Sequence, residues 1–93
     1  MTDDGVRLDA RIEGWVQGVG FRWWTRDHAR RLGLSGRATN LGDGSVRIVA
    51  EGSQRDCAAL LDLVRSGQAP GVVRSVDVEW GQAAGGFSGF SVG

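Results

Sequence analysis

The sequence predicts an α+β domain in which two helices pack on one face of a mainly antiparallel sheet. Three observations indicate this fold: strands with alternating apolar and polar residues, two segments with apolar residues at helical spacing, and the order β-α-β-β-α-β. The 93 residues, 41% of them apolar and 24% charged, have the size and composition of one globular domain. We expect a single domain over residues 1–93, with flexible ends at about residues 1–6 and 93.

A glycine-rich connection joins the first strand to the first helix. Apolar and charged residues alternate over residues 7–13, as in a half-buried strand, and Gly14 is expected to close it. A helix is predicted from residue 21 or 22 to residue 32. Gly33 follows, and glycine at this position is typical of a helix end.

A β-hairpin is predicted next. Its strands cover residues 35–39 and 45–51, and the Asp43-Gly44 pair lies in the turn between them. Asp-Gly between two extended segments is a strong hairpin signal, because glycine accepts a positive φ without steric conflict.

The second helix and the last strands complete the order. Ser53, with Asp56 three residues later, predicts the helix start, and Gly67 predicts its end. Strands are predicted over residues 72–80 and, shortly, around residues 90–92. This is the ferredoxin-like arrangement with a short fifth strand. The apolar stripe of the second helix has the spacing i, i+3, i+4, i+7 and consists of Cys57, Leu60, Leu61 and Val64.

Composition argues against several classes of function. Eleven basic and eleven acidic residues give zero net charge, which disfavours a nucleic-acid partner. No apolar run approaches the length of a membrane span, and the N-terminus lacks a secretory signal. Cys57 alone cannot form an internal disulfide, and we expect a cytoplasmic monomer. No cluster with metal-ligand spacing is visible, so we expect no metal and no cofactor.

The connection before the first helix combines glycines, a helix N-terminus and Arg22. Glycines allow successive N–H groups to turn inward, and a helix N-terminus adds unpaired donors and a positive dipole. An arginine can pair with two phosphate oxygens at once. From spacing alone, an anion-binding loop is only slightly favoured over an ordinary glycine-rich turn with a solvated arginine.

Two segments of the chain resemble the acylphosphatase family. The first is Gly14-x-Val16-Gln17-Gly18-Val19-Gly20-Phe21-Arg22. The second is Ala29-x-x-Leu32-Gly33-Leu34-x-Gly36, followed by Asn40 and Asp43-Gly44-x-Val46. The resemblance extends from about Leu8 to Val92. It implies an enzyme that hydrolyses the carboxyl–phosphate anhydride of small acyl phosphates by direct water attack, without a metal, and releases inorganic phosphate, which is expected to inhibit competitively.

The resemblance also implies a role for individual residues. The Arg22 guanidinium and the loop amides would hold the phosphoryl group, and Asn40 would orient the attacking water. Without the resemblance, a turn-forming role for Asn40 would be favoured. Arg37 and Arg47 depart from the family pattern, which often has an aromatic and an acidic residue there. The loop amides are those of Gln17, Gly18, Val19, Gly20, Phe21 and Arg22.

Two other functions stay open at this point. One is a module that handles carbamoyl phosphate within a larger protein, although the initial Met and the end after the last strand favour a free-standing enzyme. The other is a non-catalytic anion- or RNA-binding module. His28 is predicted to lie on a helix surface or to be partly packed, and Cys57 is predicted to lie in the core, so neither is expected to be catalytic. One of the adjacent Trp23 and Trp24 is expected to pack near the sheet edge or the rim of the site, and Trp15 is expected to flank its mouth.

Overall fold

The observed elements follow the predicted order. The computed structural model describes residues 5–93, which form five strands and two helices. The elements are β1 (Val6–Trp15), α1 (Phe21–Arg31), β2 (Ser35–Asn40), β3 (Val46–Gly52), α2 (Gln54–Arg65), β4 (Val72–Gln82) and β5 (Phe90–Val92).

The strands form one sheet in the order β4-β1-β3-β2-β5. All neighbours are antiparallel except β2 and β5, which run parallel. In the centre of the sheet, Ala10 of β1 lies opposite Ile48 of β3, which in turn lies opposite Ala38 of β2. The predicted ferredoxin-like fold with a short fifth strand is therefore confirmed.

Both helices pack on the same face of the sheet. The alternate residues of β1 and β3 that point to this face are almost fully buried, and they share one apolar cluster with the buried residues of both helices. Ser53 caps α2 as predicted, since its Oγ accepts a hydrogen bond of 3.1 Å from Asp56 N. Representative members of the cluster are Leu8, Ile12, Ile48, Phe21, Ala29, Cys57 and Leu60.

The prediction that Gly14 closes the first strand is wrong. β1 continues to Trp15, and its pairing with β4 shifts register between Glu13 and Gly14. Gly14 has a φ of 140°, and a Cβ on it would overlap the carbonyl oxygen of Val72. This glycine therefore allows a β-bulge and close contact between two backbones, instead of ending the strand.

A buried carboxylate holds residues 83–89 beside the other face of the sheet. Glu51 is 4% exposed and accepts hydrogen bonds from Arg7 Nε (2.7 Å), Ala84 N (2.9 Å) and Gly85 N (3.0 Å). Burial alone would raise the pKa of Glu51, but these bonds outweigh it and the pKa lies below its ordinary value. The ionised carboxylate therefore fixes the segment that leads into β5.

The expected flexible ends remain a prediction. Residues 1–4 lie outside the described part of the chain. Val6 pairs with both Gly52 and Gln82, and the N–H of Gly93 donates to the carbonyl oxygen of Ala38 at 2.8 Å.

Candidate active site

The loop between β1 and α1 is anchored in the core at both ends. Val16 and Phe21 each expose only 1% of their surface. Between them, Gly18 and Gly20 have φ values of 75° and 86°, a region that favours glycine. Because the buried ends and the two glycines fix the backbone, the fold itself sets the direction of the loop N–H groups.

These loop N–H groups are unpaired within the described chain. No acceptor in residues 5–93 bonds to the N–H groups of residues 18–23, and the first bond at the start of α1 runs from Trp24 N to Gly20 O at 3.0 Å. No side chain caps α1, and its first turn contains no acidic residue. Unpaired donors at the positive end of a helix dipole are suited to bind an anion.

Arg22 lies next to the end of β2. Its Nη1 donates a hydrogen bond to the backbone oxygen of Gly93. The N–H of Gly93 donates to Ala38, two residues before Asn40. A guanidinium has five N–H donors, so this contact leaves others for a ligand. Among residues 5–93, no Asp or Glu side chain forms an ion pair with Arg22.

Asn40 is the last residue of β2. Its Oδ1 is buried and has no hydrogen-bond partner within residues 5–93. The hairpin turn is closed by Leu41 N donating to Ser45 O at 2.8 Å, and Asp43 Oδ1 accepts from Ser45 N at 3.0 Å. The turn is therefore held by Asp43 and the main chain, and the Asn40 amide oxygen makes none of its bonds.

The Gln17 side chain joins the loop to the hairpin. Its Nε2 donates to Leu41 O at 2.7 Å and to Ser45 O at 2.9 Å. This bridging role was missed from the sequence, which indicated only the backbone amide of Gln17. The Gln17 amide has two N–H donors and can therefore bond two carbonyls. Its partners lie 24 and 28 residues further along the chain, so no local sequence pattern indicates the bridge. The bridge holds the loop against the hairpin turn that follows Asn40.

His28 and Cys57 lie where the sequence predicted. His28 is half-buried with its ring 4.6 Å from the Trp24 ring, and it follows Arg22 by six residues, about 9 Å along a helix. Cys57 is fully buried. Burial, and secondarily the charge of Asp56, raises the pKa of the Cys57 thiol to about 11, so the group stays protonated and is a poor nucleophile.

The tryptophans near the loop differ in burial. Trp24 is half-buried, and its ring stacks on Phe21 with 6.0 Å between ring centroids. Trp23 is 49% exposed and lies under the guanidinium of Arg26, and Trp15 is 65% exposed at the end of β1. Trp24 therefore supports the start of α1 from the core side.

The described chain has no metal-binding cluster at this site, and one of its cavities lies apart from it. Within residues 5–93, no three His, Cys, Asp or Glu side chains are grouped so that they could hold a metal ion. A cavity of about 490 Å³ lies between the end of α2 and β4, and neither Asn40 nor residues 17–22 line it. No helix in this part of the chain is long and apolar enough to cross a membrane.

The fold and the loop are those expected of a small anion-binding α+β protein. The acylphosphatase family profile matches residues 8–92. An acylphosphatase from Thermobifida fusca (strain YX) is 59% identical over 85 residues, which cover 91% of this chain and 93% of that relative. An acylphosphatase from Mycolicibacterium vanbaalenii is 50% identical over 91 residues, 98% of each chain.

Structural comparison agrees with the sequence comparison. The crystal structure of acylphosphatase from Bacillus subtilis superposes with a TM-score of 0.87 at 31% identity, covering 94% of this chain and 97% of that chain. The chain therefore belongs to the acylphosphatase family, whose members are hydrolases that act on the acid anhydride bond of small acyl phosphates.

Proposed function

We propose that the chain hydrolyses acyl phosphates by direct attack of water on phosphorus, with the phosphoryl group in the loop of residues 17–22 and the water at Asn40. One observation carries this proposal. Within residues 5–93, the loop has unpaired N–H groups, Arg22 has no Asp or Glu partner and the Asn40 amide oxygen is unpartnered, and hydrogen bonds link all three segments to the region around the end of β2.

The loop and Arg22 would bind the phosphoryl oxygens. The N–H groups of residues 18–23 supply donors in fixed positions, and Arg22 adds a permanent positive charge. Phosphoryl transfer depends mainly on positioning and on stabilisation of charge at the phosphoryl oxygens. These groups can provide both.

Asn40 would position the nucleophile. Its Oδ1 can accept a hydrogen bond from water, which removes the penalty of about 1–3 kcal/mol for an unsatisfied buried acceptor. The water oxygen forms a bond to phosphorus while the bond from phosphorus to the acyl oxygen breaks. The electron pair of that bond leaves on the carboxylate, and the proton of the water passes to a phosphoryl oxygen.

A metal-independent reaction is consistent with this chemistry. A carboxylate is a good leaving group, and Arg22 with the loop donors can stabilise the charge that a cation would otherwise balance. Inorganic phosphate has the same oxygens as the transferred group, so we propose that it inhibits competitively. We also propose that the chain is a single domain and acts as a monomer in the cytoplasm.

A non-catalytic anion-binding module is the competing function, since the same loop would serve it. An RNA-binding module is less well supported, because RNA readers of this shape stack bases on exposed aromatic residues of the sheet. Here that face of the central strands has the ion pairs Arg7–Glu51 and Asp9–Arg47. The match over 93% of the length of the T. fusca relative favours a free-standing enzyme over a module of a larger protein.

The test is hydrolysis of benzoyl phosphate by the purified chain in ¹⁸O-labelled water, with and without EDTA, beside an enzyme-free blank. We expect a rate far above the blank, one labelled oxygen in the released phosphate, and no effect of EDTA. A rate equal to the blank would identify a binding module. Label in the benzoate would show attack at the carbonyl carbon, and loss of activity in EDTA would contradict the metal-free reaction.

A further inference from the structure

The face of the sheet opposite the helices has a pocket of about 240 Å³. Three arginines line it, Arg7, Arg37 and Arg47, together with the apolar side chains of Val49 and Phe87. No Asp or Glu is among the described residues that line this pocket. The pocket lining is therefore partly basic and partly apolar.

Two of these arginines are already neutralised. Arg7 forms an ion pair with Glu51 at 2.7 Å, and Arg47 binds both carboxylate oxygens of Asp9, at 3.0 and 2.6 Å. The bond to Arg47 is the largest cause of a lowered pKa at Asp9, so that carboxylate stays ionised. Arg37 is exposed and forms no ion pair with an Asp or Glu side chain of residues 5–93, so it is the arginine of this pocket that no side-chain carboxylate neutralises.

Arg37 is also the pocket arginine that borders the candidate active site. Its guanidinium packs so closely on Gly93 that a Cβ on that glycine would overlap its Nε and Nη2. The backbone oxygen of the same Gly93 accepts the hydrogen bond from Arg22. The backbone of one residue therefore separates the two guanidinium groups. Leu41, which directly follows Asn40, also lines the pocket.

We propose that Arg37 is a specificity-determining residue that binds a carboxylate on the acyl part of the substrate. The inference rests on the proposed function. With the phosphoryl group held by Arg22 and the loop, a short acyl chain that crosses Gly93 brings its far end to Arg37. A carboxylate at that end pairs with the Arg37 guanidinium, and the methylene groups lie near the apolar side chains of the pocket. The enzyme would therefore prefer acyl phosphates of dicarboxylic acids.

The test compares kcat/KM for succinyl phosphate and butyryl phosphate at low ionic strength. These substrates have the same chain length and differ by a terminal carboxylate in place of a methyl group. We expect the wild type to prefer succinyl phosphate. In Arg37→Gln, kcat/KM should fall about fivefold for succinyl phosphate and stay unchanged for butyryl phosphate, the effect of losing one exposed ion pair. Arg37→Lys should retain most of the preference, and added salt should weaken it.

The matched control is Arg55→Gln, which removes the same charge from an exposed position of α2. It should leave the ratio of the two kcat/KM values unchanged. An unchanged ratio in Arg37→Gln, an equal loss on both substrates, or the same fall in Arg55→Gln would overturn the inference. Hydrolysis of neither substrate by the wild type would instead overturn the proposed function, so the two failures are distinguishable.

Discussion

The loop of residues 17–22 and the hairpin that contains Asn40 contribute to the site in opposite ways. In the loop, the side chains of Val16 before it and Phe21 near its end are buried, and the N–H groups of residues 18–23 have no acceptor within residues 5–93. In the hairpin, the backbone is paired through the turn and a single side-chain oxygen has no partner. Binding of charge would thus be shared between several main-chain N–H groups and the Arg22 guanidinium, whereas water positioning would rest on one amide that one substitution removes.

The largest loss of activity is expected when Arg22, the positively charged residue of the loop, is replaced. Arg22→Ala should lower kcat/KM for benzoyl phosphate by about 10³, the lower end of what an arginine contributes to phosphoryl transfer. It should also weaken inhibition by inorganic phosphate, because the guanidinium binds both ground state and transition state. Steady-state kinetics with phosphate as inhibitor measures both quantities.

The control for this variant is Arg26→Ala, one helical turn further along α1. Arg26 lies over the Trp23 ring with its guanidinium carbon 4.6 Å from the ring centroid. Replacing it with alanine removes the same positive charge from α1 without changing the loop. Equal losses in both variants would mean that Arg22 acts only through overall charge.

Replacing Asn40 in the hairpin is expected to have a smaller effect, which is confined to turnover. Asn40→Ala should lower kcat by about 10²–10³, the usual loss when one preorganised group is removed from an active site. The inhibition constant of phosphate should not change, because the loop donors remain. Since Asn40 Oδ1 has no partner within residues 5–93, the melting temperature should not fall either. A matching loss of phosphate affinity would show that Asn40 binds the phosphoryl group instead of water.

The fold could be predicted almost entirely from local patterns. Alternation along β1, the helical stripe of α2, the Ser53 cap and the Asp43-Gly44 turn are each determined by residues close together in sequence. The exception is Gly14, where the bulge depends on the backbone of Val72 across the sheet. A local pattern contains no information about that neighbour.

The candidate site was only partly predictable. The glycines and the helix start indicated an anion-binding loop, and the family resemblance singled out Asn40. Contacts between distant residues could not be predicted, such as that of Arg22 with Gly93. The pairing of Arg47 with Asp9 could not be predicted either, because it depends on the register between β1 and β3. This ion pair neutralises Arg47, one of the two departures from the family pattern, and leaves Arg37 without an Asp or Glu partner within residues 5–93.

The smallest effect is expected where the two regions meet. Gln17→Ala removes both hydrogen bonds from the loop to the hairpin, which should lower the free energy of unfolding by about 1–3 kcal/mol. Because the loop and Asn40 then lose their fixed relative position, kcat/KM should fall about tenfold. This variant should change turnover and phosphate affinity together, as Arg22→Ala does, but only modestly. Gln68→Ala, in an exposed turn, is the matched control. If Gln17→Ala lost stability but kept full activity, the bridge would serve only folding, and each region would hold its geometry independently of the other.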